Sequence, residues 1–169
     1  LRIGEIQALE WQDIDFSAAT LTVNKTLTRT QKVTSPKTEA SYRVLNLDQK
    51  TLLMLRLYKN RQQEKAWGLG LSPKTVFFTF VAEYPNYPTL CRHLKEHSEK
   101  AGIPPISFHA FRHTHASVLL NSGLPYKELQ HRLGHTTIAM TLDTYSHLSP
   151  DNAKKAVSFY ESALEKIQG

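Results

Sequence analysis

One stretch of the chain, from Ser107 to Leu148, collects side chains whose types and spacing suit chemistry. His109 and Arg112 stand three residues apart at the start of a predicted helix, a Gly134-His135 pair follows, and Tyr145 comes ten residues after His135 with Ser146 and His147 behind it. A cation, two imidazoles and a phenol are the parts needed to attack a phosphodiester without a metal ion. The nonbridging oxygens of such an ester repel nucleophiles and gain charge in the transition state. A guanidinium answers both difficulties, because its planar fork of donors matches phosphate oxygens.

These groups need elements to aim them. Ser107 is a good N-cap for a helix running to about Asn121 and ending at Gly123, which puts His109 and Arg112 near the positive end of the dipole, a sound place for an anion. Phe108, Phe111, Val118 and Leu119 are expected to form its buried side, with His113 and His115 on other faces as packing or supporting groups. Pro125 opens a helix whose expected C-cap is Gly134, so His135 sits just past a helix end. Thr137 can cap the next helix, where Ile138, Leu142 and Tyr145 make a stripe that by itself reads as core. A last amphipathic helix, with Ala156, Phe159, Ala163 and Ile167 on one side, packs on its own domain or on a neighbouring protomer.

Upstream, Ile3, Ile6 and Leu9 predict a short amphipathic helix over 2–10, with Arg2 at its start and Glu5 three residues on. Taken alone, Arg2 reads as a solvated surface residue. Alternation over Thr20–Thr28 and Tyr42–Leu47 predicts strands of a small antiparallel sheet. The Ser/Thr/Lys-rich segment between them reads as a hairpin with a short middle strand and Lys37 beside Pro36 at its tip, by itself a basic loop that touches phosphates nonspecifically. Asp48 caps a helix to about Lys65 bearing Leu52, Leu55 and Tyr58. The run TVFFTF fits a strand or a buried extended segment, and a helix over about Thr89–Lys100 carries Arg92, His93, Lys95 and Lys100, which could face DNA but read more simply as solvated.

Bulk properties narrow the class. A chain of 169 residues suits one domain with one core. Lys and Arg number 21 against 15 Asp and Glu, and the sequence pI is about 9.4, a balance that suits a polyanionic partner or ordinary solubility charge. Cys91 is the single cysteine, which excludes an internal disulfide and fits a reducing compartment. No apolar run approaches the roughly 18 residues of a membrane span, and no signal-peptide pattern is present, so a soluble intracellular protein is expected.

The motifs H-x-x-R-H-T, L-G-H-T-T and T-x-x-x-Y-S-H resemble the catalytic domain of the tyrosine recombinase (phage integrase) family. LRIGEIQAL at the start looks like that family's first arginine box, and SPKTEASYRVLNL looks like its lysine hairpin. These motifs stand in the family's order, and the resemblance covers nearly the whole chain. The resemblance implies an α+β, mainly helical fold with a small antiparallel sheet or hairpin. It implies that 1–169 is a catalytic domain, a fragment lacking the first helices of that domain and the N-terminal DNA-binding domains. It gives the catalytic set as Arg2, Lys37, His109, Arg112, His135 and Tyr145. Arg2 and Arg112 would hold the phosphate, His135 would donate to it, His109 would serve as general acid or base, and Lys37 would protonate the leaving 5′-oxygen. Tyr145 would attack.

The implied activity is site-specific DNA recombination or integration through a 3′-phosphotyrosyl intermediate, needing neither metal, cofactor nor ATP, in a phage or integrative element. Expected partners are double-stranded DNA carrying attachment or recombination sites and further protomers in a synaptic complex, in the bacterial cytoplasm and not at a membrane. A type IB topoisomerase-like strand transferase shares the chemistry, and a DNA-binding domain without chemistry is the third reading. A metal hydrolase would use His109, His113 and His115, but no Asp or Glu stands within that cluster.

Overall fold

The computed structural model describes residues 1–36, 38–77 and 83–145. It has the expected character, mainly helical with small antiparallel sheets. Helix α1 (Ile3–Gln7) leads through a 3-10 turn at Trp11–Asp13 into β1 (Ile14–Asp15), β2 (Thr20–Val23), β3 (Thr26–Leu27), β4 (Val33–Thr34) and β5 (Arg43–Asn46). Five longer helices follow: α2 (Gln49–Trp67), α3 (Tyr87–Lys100), α4 (Phe108–Asn121), α5 (Tyr126–Leu133) and α6 (Ile138–Tyr145). Strands pair antiparallel in the order β1-β2-β5, with Leu21 opposite Leu45, while β3 and β4 form the base of the expected hairpin with its short middle strand. Lys37, expected at the hairpin tip, lies outside the described residues, as do Ser146, His147 and the expected last helix.

The caps explain where the helices begin. Asp48, Asn86 and Ser107 each accept from the backbone N–H three residues on, at 2.9, 2.9 and 3.1 Å, satisfying one of the free donors of a first turn. Of TVFFTF the described residues are Thr75–Phe77: Thr75 bridges Glu10, the Val76 N–H donates to the Leu9 carbonyl at 2.9 Å, and Val76 and Phe77 form a turn. Among the described residues, no helix is long and apolar enough to cross a membrane.

Two apolar clusters result. One gathers Leu9, Trp11, Ile14, Leu21, Val23, Leu45 and Val76 around the sheet; the other gathers Ala116, Leu120, Leu129, Leu133 and Tyr145 among α4, α5 and α6. The buried face of α4 is not the expected one. Arg112, Ala116 and Leu120, four residues apart, point inward, whereas Phe111 and Val118 are 52% and 59% exposed. An arginine takes a core position here because its guanidinium finds a carbonyl inside, and the small Ala116 allows neighbouring helices to come close. In α6 likewise Thr141 and Tyr145 are buried, while Ile138 and Leu142 are exposed.

Helix α1 departs from its expected stripe in the same way. Glu5, Gln7, Ala8 and Leu9 are buried, whereas Ile3 and Ile6 are only half-buried. Gln7 Nε2 donates to the Pro85 carbonyl at 2.7 Å. Glu5 accepts from Arg43 Nη1 at 3.1 Å and Nη2 at 2.8 Å in a bidentate pair, and from the Arg2 backbone N–H at 2.7 Å. Burial would raise the Glu5 carboxyl, but the Arg43 guanidinium and then Arg2 outweigh it and hold it below its ordinary value. This pair joins α1 to β5 across the sheet cluster. Deleting one partner of a buried pair strands the other's charge, so Arg43→Met should lower unfolding free energy by about 3–5 kcal/mol. Glu5→Leu with Arg43→Met should cost less than the sum of the single changes, measured by urea denaturation.

Candidate active site

The site is organised around the C-terminal end of α5. The last carbonyls of a helix have no partners within it and carry the negative end of its dipole. Here three successive ones are each taken by a different arginine. Arg43 Nε donates to the Arg132 carbonyl at 3.0 Å, Arg112 Nη2 to Leu133 at 2.7 Å, and Arg2 Nη2 to Gly134 at 2.6 Å. Gly134 closes the helix in the left-handed region at φ 68°, and a Cβ there would meet Arg43 Nη1 at 2.7 Å. Only glycine fits that turn and that approach.

Beyond Gly134 the chain delivers His135. Its ring Nδ1 shares a hydrogen bond with the Thr141 hydroxyl at 2.9 Å, and its backbone carbonyl accepts from Gln130 Nε2 at 3.1 Å. Loss of hydration and then the charges of Arg112, Arg2 and Arg43 push its pKa down from 6.5 to about 4, so the ring is neutral at pH 7. In the tautomer where the Thr141 hydroxyl donates to Nδ1, the proton is on Nε2, where it can be offered to an oxygen of a bound anion.

Arg2, His109, Arg112 and His135 line one hollow of about 490 Å³, together with Phe108, Tyr87 and Met140. Four of the six candidates from the sequence are therefore brought together. Arg112 is only 8% exposed, and burial first, then repulsion from Arg2 and Arg43, lowers its pKa to about 10, leaving it protonated at neutral pH. Its Nη1 is buried without a hydrogen-bond partner among the described residues. Among the described residues one carboxylate, Glu5, faces the guanidinium groups of Arg2, Arg43 and Arg112. An excess of positive charge and an unpartnered donor make the hollow fit for an anion with several oxygens.

Tyr145 does not line this hollow. It is 2% exposed within the α4–α6 cluster, and loss of hydration raises its phenol pKa above 10.0 despite the opposing charge of Arg112. Contact with the site runs through His113. The rings of His109 and His113 meet edge to face with centroids 4.3 Å apart, and His113 packs on Tyr145 at 5.5 Å. The reading of His113 on another face than His109 is thus corrected, because residues four apart are helix neighbours. His115 does stand apart, its Nε2 accepting from Arg132 Nε at 2.9 Å. Sequence reasoning also passed over Arg43 and Thr141. Arg43 had a signal in the alternation with Leu45 and Leu47, which directs all three to one face of β5.

The depressed His135 pKa sets a stability window. Below the ordinary 6.5 the unfolded chain takes up a proton that the folded chain refuses until about pH 4. Stability from this residue is therefore full above 6.5 and is lost as pH falls toward 4. His135→Asn should flatten that part of the stability-against-pH curve, and an NMR titration of the wild-type ring should show a midpoint near 4.

A family model described as the phage integrase family matches residues 1–152. The ICEBs1 integrase of Bacillus subtilis (strain 168) is 33% identical over 97% of the chain, and a tyrosine recombinase XerC-like protein of Caldanaerobacter subterraneus subsp. tengcongensis is 31% identical over 93%. The chain spans 46% and 45% of those two proteins, less than half their length. Among solved structures, the Tn1549 transposon integrase in complex with transposon right end DNA superposes with a TM-score of 0.74 at 24% identity, covering 94% of this chain and 54% of that one. The XerA recombinase gives 0.69 at 22% identity, covering 94% and 51%. At these identities the likeness concerns the fold.

Proposed function

The chain belongs to the phage integrase family, and from that membership we propose that it is the catalytic part of a site-specific DNA recombinase or integrase. It cuts and rejoins strands of double-stranded DNA in the bacterial cytoplasm, working with further protomers in a synaptic complex. The observation that carries this reading is the hollow where Arg2, Arg112 and neutral His135 converge, with one buried donor of Arg112 unpartnered. A phosphodiester supplies the missing acceptor.

In this mechanism the two guanidinium groups and His135 bind the nonbridging oxygens and neutralise the charge they gain in the transition state. Losing a single preorganised donor of this kind costs about 2.7–4 kcal/mol of barrier. The Tyr145 oxygen attacks phosphorus as His109 takes the phenol proton, a bond forms from phosphorus to the tyrosine, and the bond to the 5′-oxygen breaks. Lys37 supplies the proton for that leaving oxygen. The phosphotyrosyl bond conserves the energy of the broken ester, so a 5′-hydroxyl of another strand can reverse the step without ATP.

The test uses the full-length protein and a nicked duplex spanning the recombination junction. Tyr145→Phe should bind this DNA as the wild type does and form no covalent adduct; undiminished adduct would remove Tyr145 from the role. Lys37→Ala should cleave ordinary DNA slowly but recover most of its rate when the bridging 5′-oxygen is replaced by sulfur. A thiolate, with a thiol pKa of about 8.5, leaves without help, whereas an alkoxide does not. Equal impairment on both substrates would make Lys37 a phosphate contact instead.

A further inference from the structure

His113 has no part in the mechanism above, yet it is the side chain that touches both groups expected to exchange the phenol proton. Its ring meets His109 edge to face at 4.3 Å and Tyr145 at 5.5 Å with the planes inclined by 58°. Tyr145 stands in α6, one turn beyond Thr141. Among the described residues no hydrogen bond to its phenol is seen, and the ring is packed 2% exposed in the cluster of α4, α5 and α6. Aliphatic side chains of Ala116, Leu120, Leu129 and Leu133 belong to the cluster that encloses it. The His113 ring is an aromatic contact of Tyr145, and it leads toward His109 in the hollow.

We infer that His113 is a positioning residue for the phenol, a planar wedge between His109 and Tyr145 that fixes how the nucleophile's ring sits in the α4–α6 cluster behind the anion hollow. It acts through the shape of its ring rather than through proton transfer. No hydrogen bond to its ring nitrogens is found among the described residues, and burial followed by the charges of His109 and Arg112 lowers its pKa, which favours the uncharged ring that such a contact requires. Aromatic pairs prefer inclined or edge-to-face contacts of the kind seen on both sides of His113. A reacting group held in a near-attack orientation gains much of its rate from that placement, and an ångström of misplacement can cost roughly a hundredfold.

This inference rests on Tyr145 being the nucleophile, so the experiment has two arms. In the first, His113→Leu and His113→Phe are made in the full-length protein, and single-turnover cleavage of the nicked junction duplex is measured with binding to the same DNA. His113→Leu keeps the site filled with an apolar side chain but removes the flat ring. Its cleavage rate should fall at least about tenfold with DNA affinity within about twofold, and His113→Phe should return to within about threefold of the wild type. In the second arm 3-fluorotyrosine is placed at position 145, and the fluorine resonance is recorded without DNA. The signal should move or broaden in His113→Leu and stay close to the wild type in His113→Phe.

Wild-type cleavage by His113→Leu, a Phe variant as slow as the Leu variant, or a fluorine signal indifferent to both changes would each overturn the inference. A parallel loss of DNA binding and cleavage in the Leu variant would do so too, since a general structural role predicts that pattern. If Tyr145→Phe still forms its adduct, the assignment of the nucleophile fails, and the fluorine arm still reports on the contact itself.

Discussion

Three carbonyl oxygens at the end of α5 receive three arginines from three distant parts of the chain, and the arrangement of the site follows from that convergence. Arg2 comes from the start of α1, Arg43 from β5 and Arg112 from α4. Each guanidinium meets a need the helix has in any case, because its last carbonyls lack internal partners and lie at the negative end of the dipole. The clamp also joins two apolar clusters with no shared members, one around the sheet and one among α4, α5 and α6. Packing within each cluster is non-directional, whereas three hydrogen bonds to successive carbonyls fix both distance and orientation.

Concentrating positive charge in this way carries a cost, and the cost explains the remaining polar groups. Arg2, Arg43 and Arg112 repel one another, and Arg112 is depressed to about 10 as a result of burial and that repulsion. Glu5 balances part of the charge through its bidentate pair with Arg43 and its contact with Arg2. Among the described residues one carboxylate stands among three guanidinium groups, and the excess is one that a phosphate oxygen can answer. Lysine would serve less well at any of the three positions, since a point charge lacks the fork that holds a carbonyl with one nitrogen and leaves others free. Burial, and then the same cations, keep His135 uncharged, so it does not add to the repulsion.

Elements that meet their partners locally were legible in the sequence. Asp48 and Ser107 cap as expected because the acceptor and the N–H it serves are three residues apart. Gly134 and the position of His135 after it were visible because a helix stop is a local event. The inward faces of α1, α4 and α6 were not. Apolar periodicity assigned them to Ile3, Phe111, Val118 and Ile138, and the structure turns Glu5, Arg112 and Thr141 inward instead. A buried charged or polar residue is intelligible only when its partner is known, and those partners lie 38 residues away for Glu5 and Arg43 and 21 for Arg112 and Leu133.

The sequence by itself therefore determined the fold class, the order of the elements and the identities of the chemical groups, since these depend on spacing, caps and motifs carried within short segments. Whether those groups share a site was decided only by tertiary structure. Arg2 and Gly134 are 132 residues apart and meet at 2.6 Å, while Tyr145, ten residues from His135, lies behind the hollow rather than on its wall. Closeness along the chain governs helices and turns because their hydrogen bonds are local. Closeness in space at this site is governed by which distant donors the end of α5 recruits.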